Sequence, residues 1–234
     1  MESIVLLSGG QDSTTCLAWA KQELGAGVRA VAFDYGQRHS VELKQAAEIA
    51  DRLGVISFSV LNASVLHDLG GAALTDDRVD VEAMADPRSL NQHAYKHNLP
   101  STFVPGRNML FLTLAAAFGA RFGCYDLVTG VCQQDRAGYP DCRAEFVDAA
   151  QEALSLALDE RVTVHAPLLE RTKGDTWRLA QDLGILDVII EHTHTCYHGD
   201  RSQMHPWGAG CGECPACVER AKGYQEFVNS EVSA

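Results

Sequence analysis

The chain has 234 residues, 46% of them apolar and 21% charged, and its 31 acidic against 19 basic side chains give a net charge of −12. That mixture supplies a sizeable core and excludes a disordered, collagen-like or coiled-coil chain. No apolar run reaches the roughly 18 residues of a membrane span. Glu2 and the lack of a basic leader speak against a secretory signal, and the acidic balance offers no broad positive field to a nucleic-acid backbone. The expectation is a cytoplasmic globule with no membrane partner and no direct nucleic-acid partner.

Strand and helix signals alternate from the start. Ile4–Leu7 is a short apolar run ending in Ser8-Gly9-Gly10, and Asp12-Ser13 opens a helical pattern through Cys16, Leu17, Trp19, Ala20 and Leu24. Arg29–Phe33 reads as a second strand. Ser40 is a candidate cap for a helix carrying Val41, Leu43, Ala46, Ile49 and Leu53, and Val55–Val60 is a third strand. This order implies right-handed βαβ units, a doubly wound parallel sheet of α/β class. Residues 62–106 break the rhythm, and part of them is expected to form a lid. Beyond them come a buried helix over Asn108–Phe122, a strand over Asp126–Val131, a helix over Arg143–Leu158, a strand over Val162–His165 and a helix over Lys173–Leu183. Past Leu186 the chain is read as a Cys/His-rich appendage closed by a helix from about Pro215. The expected division is an ATP-binding α/β domain over residues 1–190 and a metal-binding region over 191–234 packed on it.

Ser8-Gly9-Gly10-Gln11-Asp12-Ser13-Thr14 stands where a strand ends and a helix begins. Two glycines let the backbone curve round an anion, and the N–H groups that follow lie at the positive end of a helix dipole. A plain glycine turn with a polar helix cap is the bland alternative. No Walker-type loop occurs in the chain.

The eight cysteines divide into two sets. Cys16, Cys124, Cys132 and Cys142 are scattered, and small buried hydrophobes are the default for Cys16 and Cys124. Cys211-x-x-Cys214-x-x-Cys217 puts three thiols on a tight knuckle leading into a helix, and Cys196 lies fifteen residues earlier. Four thiolates suit a closed tetrahedral Zn²⁺, and the spacing alone also allows an iron–sulfur cluster. His192, His194 and His198 surround Cys196 and are easily mistaken for ligands.

Ser8–Ser13 resembles the PP-loop of ATP pyrophosphatases with the adenine nucleotide α-hydrolase-like fold, enzymes that split ATP between its α- and β-phosphates to adenylate a substrate oxygen. Further runs narrow the resemblance: Phe33-Asp34-Tyr35-Gly36-Gln37-Arg38-His39, Val104-Pro105-Gly106-Arg107-Asn108, Gly138-Tyr139-Pro140-Asp141-Cys142-Arg143 and Thr195-Cys196-Tyr197. Together with the terminal cysteine knuckle they resemble the QueC family of 7-cyano-7-deazaguanine synthases, from about Val5 to Tyr224. Arg136 and the long stretch around Asp86–Asn98 depart from that family's pattern. Both bear on substrate fit.

The resemblance implies ATP-dependent ligation of 7-carboxy-7-deazaguanine with ammonia, first to an amide and then, after a second activation, to a nitrile. It implies ATP and Mg²⁺ at the loop, over Leu7, Ser8, Gly9, Gly10, Gln11, Asp12, Ser13, Thr14, Thr15, Cys16 and Leu17, and zinc on Cys196, Cys211, Cys214 and Cys217. Asp12 is the expected partner of the magnesium or its waters. Asp12, Ser13, Lys173, Arg107 and Arg143 are the expected catalytic set, although a solvated surface lysine is an equal reading of Lys173. Guanidinium suits planar recognition of a carboxylate. The expected substrate contacts are therefore Arg38, Arg107 and Arg143, with Tyr35 and Tyr139 stacking, Asp141 reading ring N–H donors, and Gln37 and His39 nearby. A tRNA-thiolating enzyme of the same superfamily, or a related enzyme with another substrate, is the alternative within enzymes. A zinc-bearing module that binds nucleotide without turnover is the alternative outside them. A homodimer is left open.

Overall fold

The computed structural model describes residues 2–37, 41–76, 99–132 and 139–232. Five strands form one parallel sheet: β1 (Glu2–Leu6), β2 (Gly27–Asp34), β3 (Ser57–Asn62), β4 (Asp126–Val128) and β5 (Thr163–His165), in the order β3-β2-β1-β4-β5. The α/β class and the parallel sheet expected from the sequence are both present.

Alternation along the strands feeds two cores. Ile4, Val31, Phe33 and Leu127 face one side, while Val5, Ala30, Ala32 and Val128 face the other. Helices α1 (Gln11–Glu23) and α2 (Val41–Arg52) cover the second side with Leu17, Ala20, Ala46 and Ile49. After a short helix α3 (Val65–Leu69), helices α4 (Arg107–Ala120) and α5 (Ala144–Leu158) cover the first with Leu112, Ala115, Val147 and Leu154. Crossovers of constant hand put helices on opposite faces when the strand order reverses, and it reverses between β1 and β4. That reversal opens a crevice above the carboxyl ends of those two strands, where open α/β sheets bind ligands.

The remaining helices build a third core. α6 (Lys173–Asp182) starts at a capping box in which Thr172 and Asp175 each accept from the other's backbone N–H, at 3.1 Å. α7 (Leu186–His192) follows at once, and α8 (Pro215–Val232) packs against α6. Trp177, Ile189, Trp207 and Phe227 share this core with Cys196, Cys214 and Cys217.

Several expectations need correction. The strand expected over Asp126–Val131 pairs only to Val128, and Gly130 beyond it lies against the start of α1. The appendage past Leu186 also contains α7 and a two-stranded antiparallel pair, β6 (Met204–His205) and β7 (Gly208–Ala209), ahead of its closing helix. The cap assigned to Ser40 and much of the lid, residues 77–98, lie outside the described residues. Among the described residues, no helix is long and apolar enough to cross a membrane.

Candidate active site and cysteine cluster

The crevice is a cleft of about 290 Å³. Its floor is the turn from β1 into α1. Gly10 is the N-cap of α1 and no side chain caps the helix, so N–H groups of its first turn are left for a ligand. α6 is capped on both counts, whereas α1 shares an uncapped start with α3, α4, α5 and α7, and its first turn lines the cleft.

The hydroxyls of this turn brace it. Ser13 Oγ accepts from the Ser8 N–H at 3.1 Å and lies 3.0 Å from Ser8 Oγ, and Thr14 Oγ1 donates to the Gly10 carbonyl at 2.8 Å. Leu7, Ser8, Gly10, Gln11, Asp12 and Ser13 line the cleft. Gly9, Thr14, Thr15, Cys16 and Leu17 do not. Thr15 donates to its own helix at Gln11, and Cys16 and Leu17 are fully buried in the second core, which places these three beneath the loop. Two polar atoms are buried without a partner at this turn: Gln11 Nε2 and Asp12 Oδ1. The other Asp12 oxygen accepts from Lys173 Nζ at 2.5 Å, across a sequence separation of 161 residues. Lys173 is therefore no solvated surface lysine.

Gly9 has φ +83°, and a Cβ there would lie 2.6 Å from the Glu42 carbonyl oxygen and 2.8 Å from the Ala46 nitrogen. Gly9→Ala is expected to cost about 1–3 kcal/mol of stability, since both the left-handed backbone and the packing of α2 oppose it. Urea denaturation of the purified variant measures this; a midpoint equal to that of the parent contradicts it.

Aromatic and charged groups form the wall opposite. Phe33 stacks on Phe111 with centroids 4.0 Å apart, and Tyr35 tilts against Phe111 at 5.5 Å. Arg107 begins α4, after Gly106 at φ +73°, and lines the cleft with Tyr139 and Asn108. Burial works against its charge, but Tyr35, Asp141 and Tyr139 around it hold its proton on. Burial also pushes the Tyr35 phenol up, with Glu42 adding to the rise. Gln37 lines the cleft, yet its amide is spent on the turn: Oε1 accepts from Tyr35 N–H at 3.0 Å and Nε2 donates to Phe33 O at 3.2 Å.

Two expected substrate contacts are not among the residues that line the cleft. Asp141 sits behind Arg107: Oδ2 accepts from the Asn108 N–H at 3.3 Å, Oδ1 is buried without a partner, and burial pushes its pKa up against the pull of Arg107. It is a counter-charge for Arg107 and not a lining group. Arg143 is the exposed residue that precedes α5 and does not line the cleft. Arg38 and His39 lie outside the described residues. Sequence reasoning missed Glu42, Phe111, Gly130 and Thr195, all of which line the cleft. Two of them left a trace, Gly130 as a glycine at a strand end and Thr195 in the Thr195-Cys196-Tyr197 run, and the bare Cα of Gly130 admits the start of α1 (a Cβ would be 3.1 Å from Ser13 N).

The cysteine cluster adjoins this floor. The sulfurs of Cys196, Cys211, Cys214 and Cys217 all lie within 4.8 Å of one another, with Cys211 and Cys217 at 3.9 Å. Donors from Cys217 and from the backbone at Tyr197 face Cys214 and hold its thiol below the ordinary thiol range. His198 and Glu213 approach Cys211 from the exposed side. His192 instead pairs with Glu48 at 2.9 Å, and the His194 backbone N–H donates to the Gly9 carbonyl at 2.9 Å. The segment leading to the first cysteine thus rests on the nucleotide loop. Arg220, buried on α8, locks it by donating to Ile189 O, Thr195 Oγ1 and Trp207 O at 2.7, 2.8 and 2.9 Å.

An open helix start at the switch point of a parallel sheet, with an acid and a lysine converging on it, defines a PP-loop α/β protein built to hold a nucleotide's phosphates. The sequence model described as "Queuosine biosynthesis protein QueC" matches residues 2–228, and the chain belongs to that family. It is 48% identical over 240 residues to a 7-cyano-7-deazaguanine synthase of Bordetella avium, covering 97% of this chain and 92% of the relative. It is 44% identical over 228 residues to that of Wolinella succinogenes, covering 97% and 94%. Among solved structures, a predicted subunit of a tRNA methyltransferase from Methanocaldococcus jannaschii is similar at TM-score 0.48 and 19% identity, covering 77% of this chain and 74% of that one.

Proposed function

We propose that the cleft converts 7-carboxy-7-deazaguanine and ammonia to 7-cyano-7-deazaguanine at the expense of ATP, through an adenylated carboxylate and an amide. Family membership supplies the reaction, and one observation ties it to this chain: the open α1 terminus and Arg107 line the same cleft. A carboxylate is a poor electrophile, so its oxygen must first be given a leaving group. ATP on the loop supplies one, with pyrophosphate settling on the free N–H groups of α1 and Lys173 beside it. Asp12, with a buried unpartnered oxygen, suits Mg²⁺, which neutralises phosphate charge when bound. Arg107 grips the substrate carboxylate, and Tyr35, Phe111 and Tyr139 provide apolar faces for a flat ring.

The cysteine cluster is read as a structural zinc site. A tetrahedron with Zn–S near 2.3 Å has edges of about 3.8 Å, close to the 3.9 Å between Cys211 and Cys217. An iron–sulfur cluster interposes iron and sulfide and needs its thiolates further apart. The third core, which joins α1 and α6 to the cysteines, supports a zinc-bearing region over residues 191–234 seated on an ATP-binding domain over 1–190. A four-cysteine cluster read as a metal site suits a reducing, cytoplasmic setting.

The test is mass spectrometry after incubation with ATP, Mg²⁺, ammonium and 7-carboxy-7-deazaguanine. Appearance of the nitrile with AMP and pyrophosphate is expected; AMP without a change in the deazaguanine contradicts the reading. Lys173→Ala is expected to lower turnover about 10- to 100-fold, the worth of one charge-assisted contact. Steady-state kinetics checks it.

A further inference from the structure

The loop serves the phosphates and Arg107 the substrate carboxylate, which leaves the nitrogen to be served by another group. Ammonia is held as ammonium at neutral pH and has no lone pair to offer. Both halves of the reaction also shed protons from nitrogen. In amide formation the nitrogen lone pair forms the C–N bond, the C–O bond to phosphate breaks with its electron pair going to AMP, and one N–H proton must leave. In nitrile formation the remaining N–H bond of the adenylated imidate supplies the pair for the third C–N bond, its proton leaves, and AMP departs with the C–O pair. A base beside the reacting carbon serves every one of these transfers.

Glu42 is placed for it. It stands in the first turn of α2 and lines the cleft, and its own carbonyl is packed against Gly9 of the nucleotide loop. Tyr35 at the end of β2 and Arg107 at the start of α4 are the titratable or charged groups of the described residues that act on it. It therefore lies between the loop that takes the leaving group and the guanidinium that takes the carboxylate. We propose that Glu42 is the general base of the reaction, receiving the ammonium proton and then the N–H protons of the adenylated intermediates. This rests on the nitrile-forming reading. Burial pushes its carboxyl up to about 7, against the pull of Arg107. A carboxyl in that range both accepts a proton and returns it to solvent near neutrality. The sign follows: the base is the deprotonated form, so the nitrogen steps speed up as pH rises through about 7.

The test separates adenylation from nitrogen transfer. Pyrophosphate exchange into ATP, with the carboxylate and no ammonium, reads adenylation; amide and nitrile yields read the nitrogen steps. In Glu42→Gln, amide formation is expected to fall about 100-fold more than exchange. The variant should lose the rise near neutral pH that the parent shows and recover in part at alkaline pH, where free ammonia is abundant. Equal losses in both assays overturn the proposal and make Glu42 a binding or structural residue. A raised KM for the deazaguanine with unchanged amidation at saturation also overturns it, since Glu42 would then be reading the ring. Absence of exchange in the parent is a different failure, that of the nitrile-forming reading itself.

Discussion

Replacing Arg107 with Lys is expected to lower kcat/KM for the carboxylate substrate roughly 30- to 1000-fold while nearly sparing ATP affinity. Lysine keeps the charge but loses the two-pronged donor geometry, and such a contact in a dehydrated pocket is worth about 2–4 kcal/mol in the transition state. The surroundings sharpen the effect. Asp141 and the Tyr35 and Tyr139 phenols are arranged about a planar cation, and a shorter set of donors leaves them imperfectly matched. Arg143→Lys is the internal comparison: exposed before α5 and not a lining residue of the cleft, it is expected to change kcat/KM by less than about threefold. Kinetics of the two variants with varied carboxylate, at saturating ATP, measure both. A parent-like Arg107→Lys assigns the carboxylate to another group, with Arg38 next in line.

What was legible in the sequence was what local chemistry controls. Apolar runs of strand length, broken by Gly-Gly or by a Gly after a helix, placed all five strands of the sheet. The glycine loop was visible because its demand is on the backbone, and the four cysteines because metal ligands cluster in sequence. Contacts between distant segments were not legible. Lys173 reaches Asp12 across the fold, and nothing near Lys173 in the sequence distinguishes it from a surface lysine. Glu42 reads as an acid favoured in a first helical turn, and Phe111 as one more apolar residue of a buried helix. Helix α7 was missed because seven residues are too few to establish a period. Asp141 was legible as a motif residue, but its hydrogen bond from the Asn108 N–H and its charge beside Arg107 were not.

Removal of one thiolate from the cysteine cluster is expected to disturb the nucleotide loop as well as stability. Parent protein should contain about one zinc per chain, as a single four-cysteine site requires, and Cys214→Ser much less. Structural zinc contributes on the order of 10 kcal/mol to small zinc domains. Here Trp177, Ile189, Trp207 and Phe227 already pack the region, so a smaller loss, about 3–5 kcal/mol, is expected. That corresponds to a Tm about 6–20 °C lower for a chain of this size. The path to the loop is short. Cys196 follows His194 and Thr195; His194 donates to Gly9, and Thr195 is held by Arg220 while lining the cleft. Loosening Cys196 frees that segment and, with it, the turn that carries Gly10 and Asp12. Pyrophosphate exchange should therefore fall in the zinc-depleted protein although none of the four clustered cysteines lines the cleft, and amide hydrogen exchange over Gly9–Ser13 should quicken. Calorimetry, elemental analysis and exchange mass spectrometry on parent and Cys214→Ser protein measure these together. Iron with acid-labile sulfide in anaerobically purified protein contradicts the zinc assignment. An unchanged loop in protein stripped of zinc contradicts the coupling.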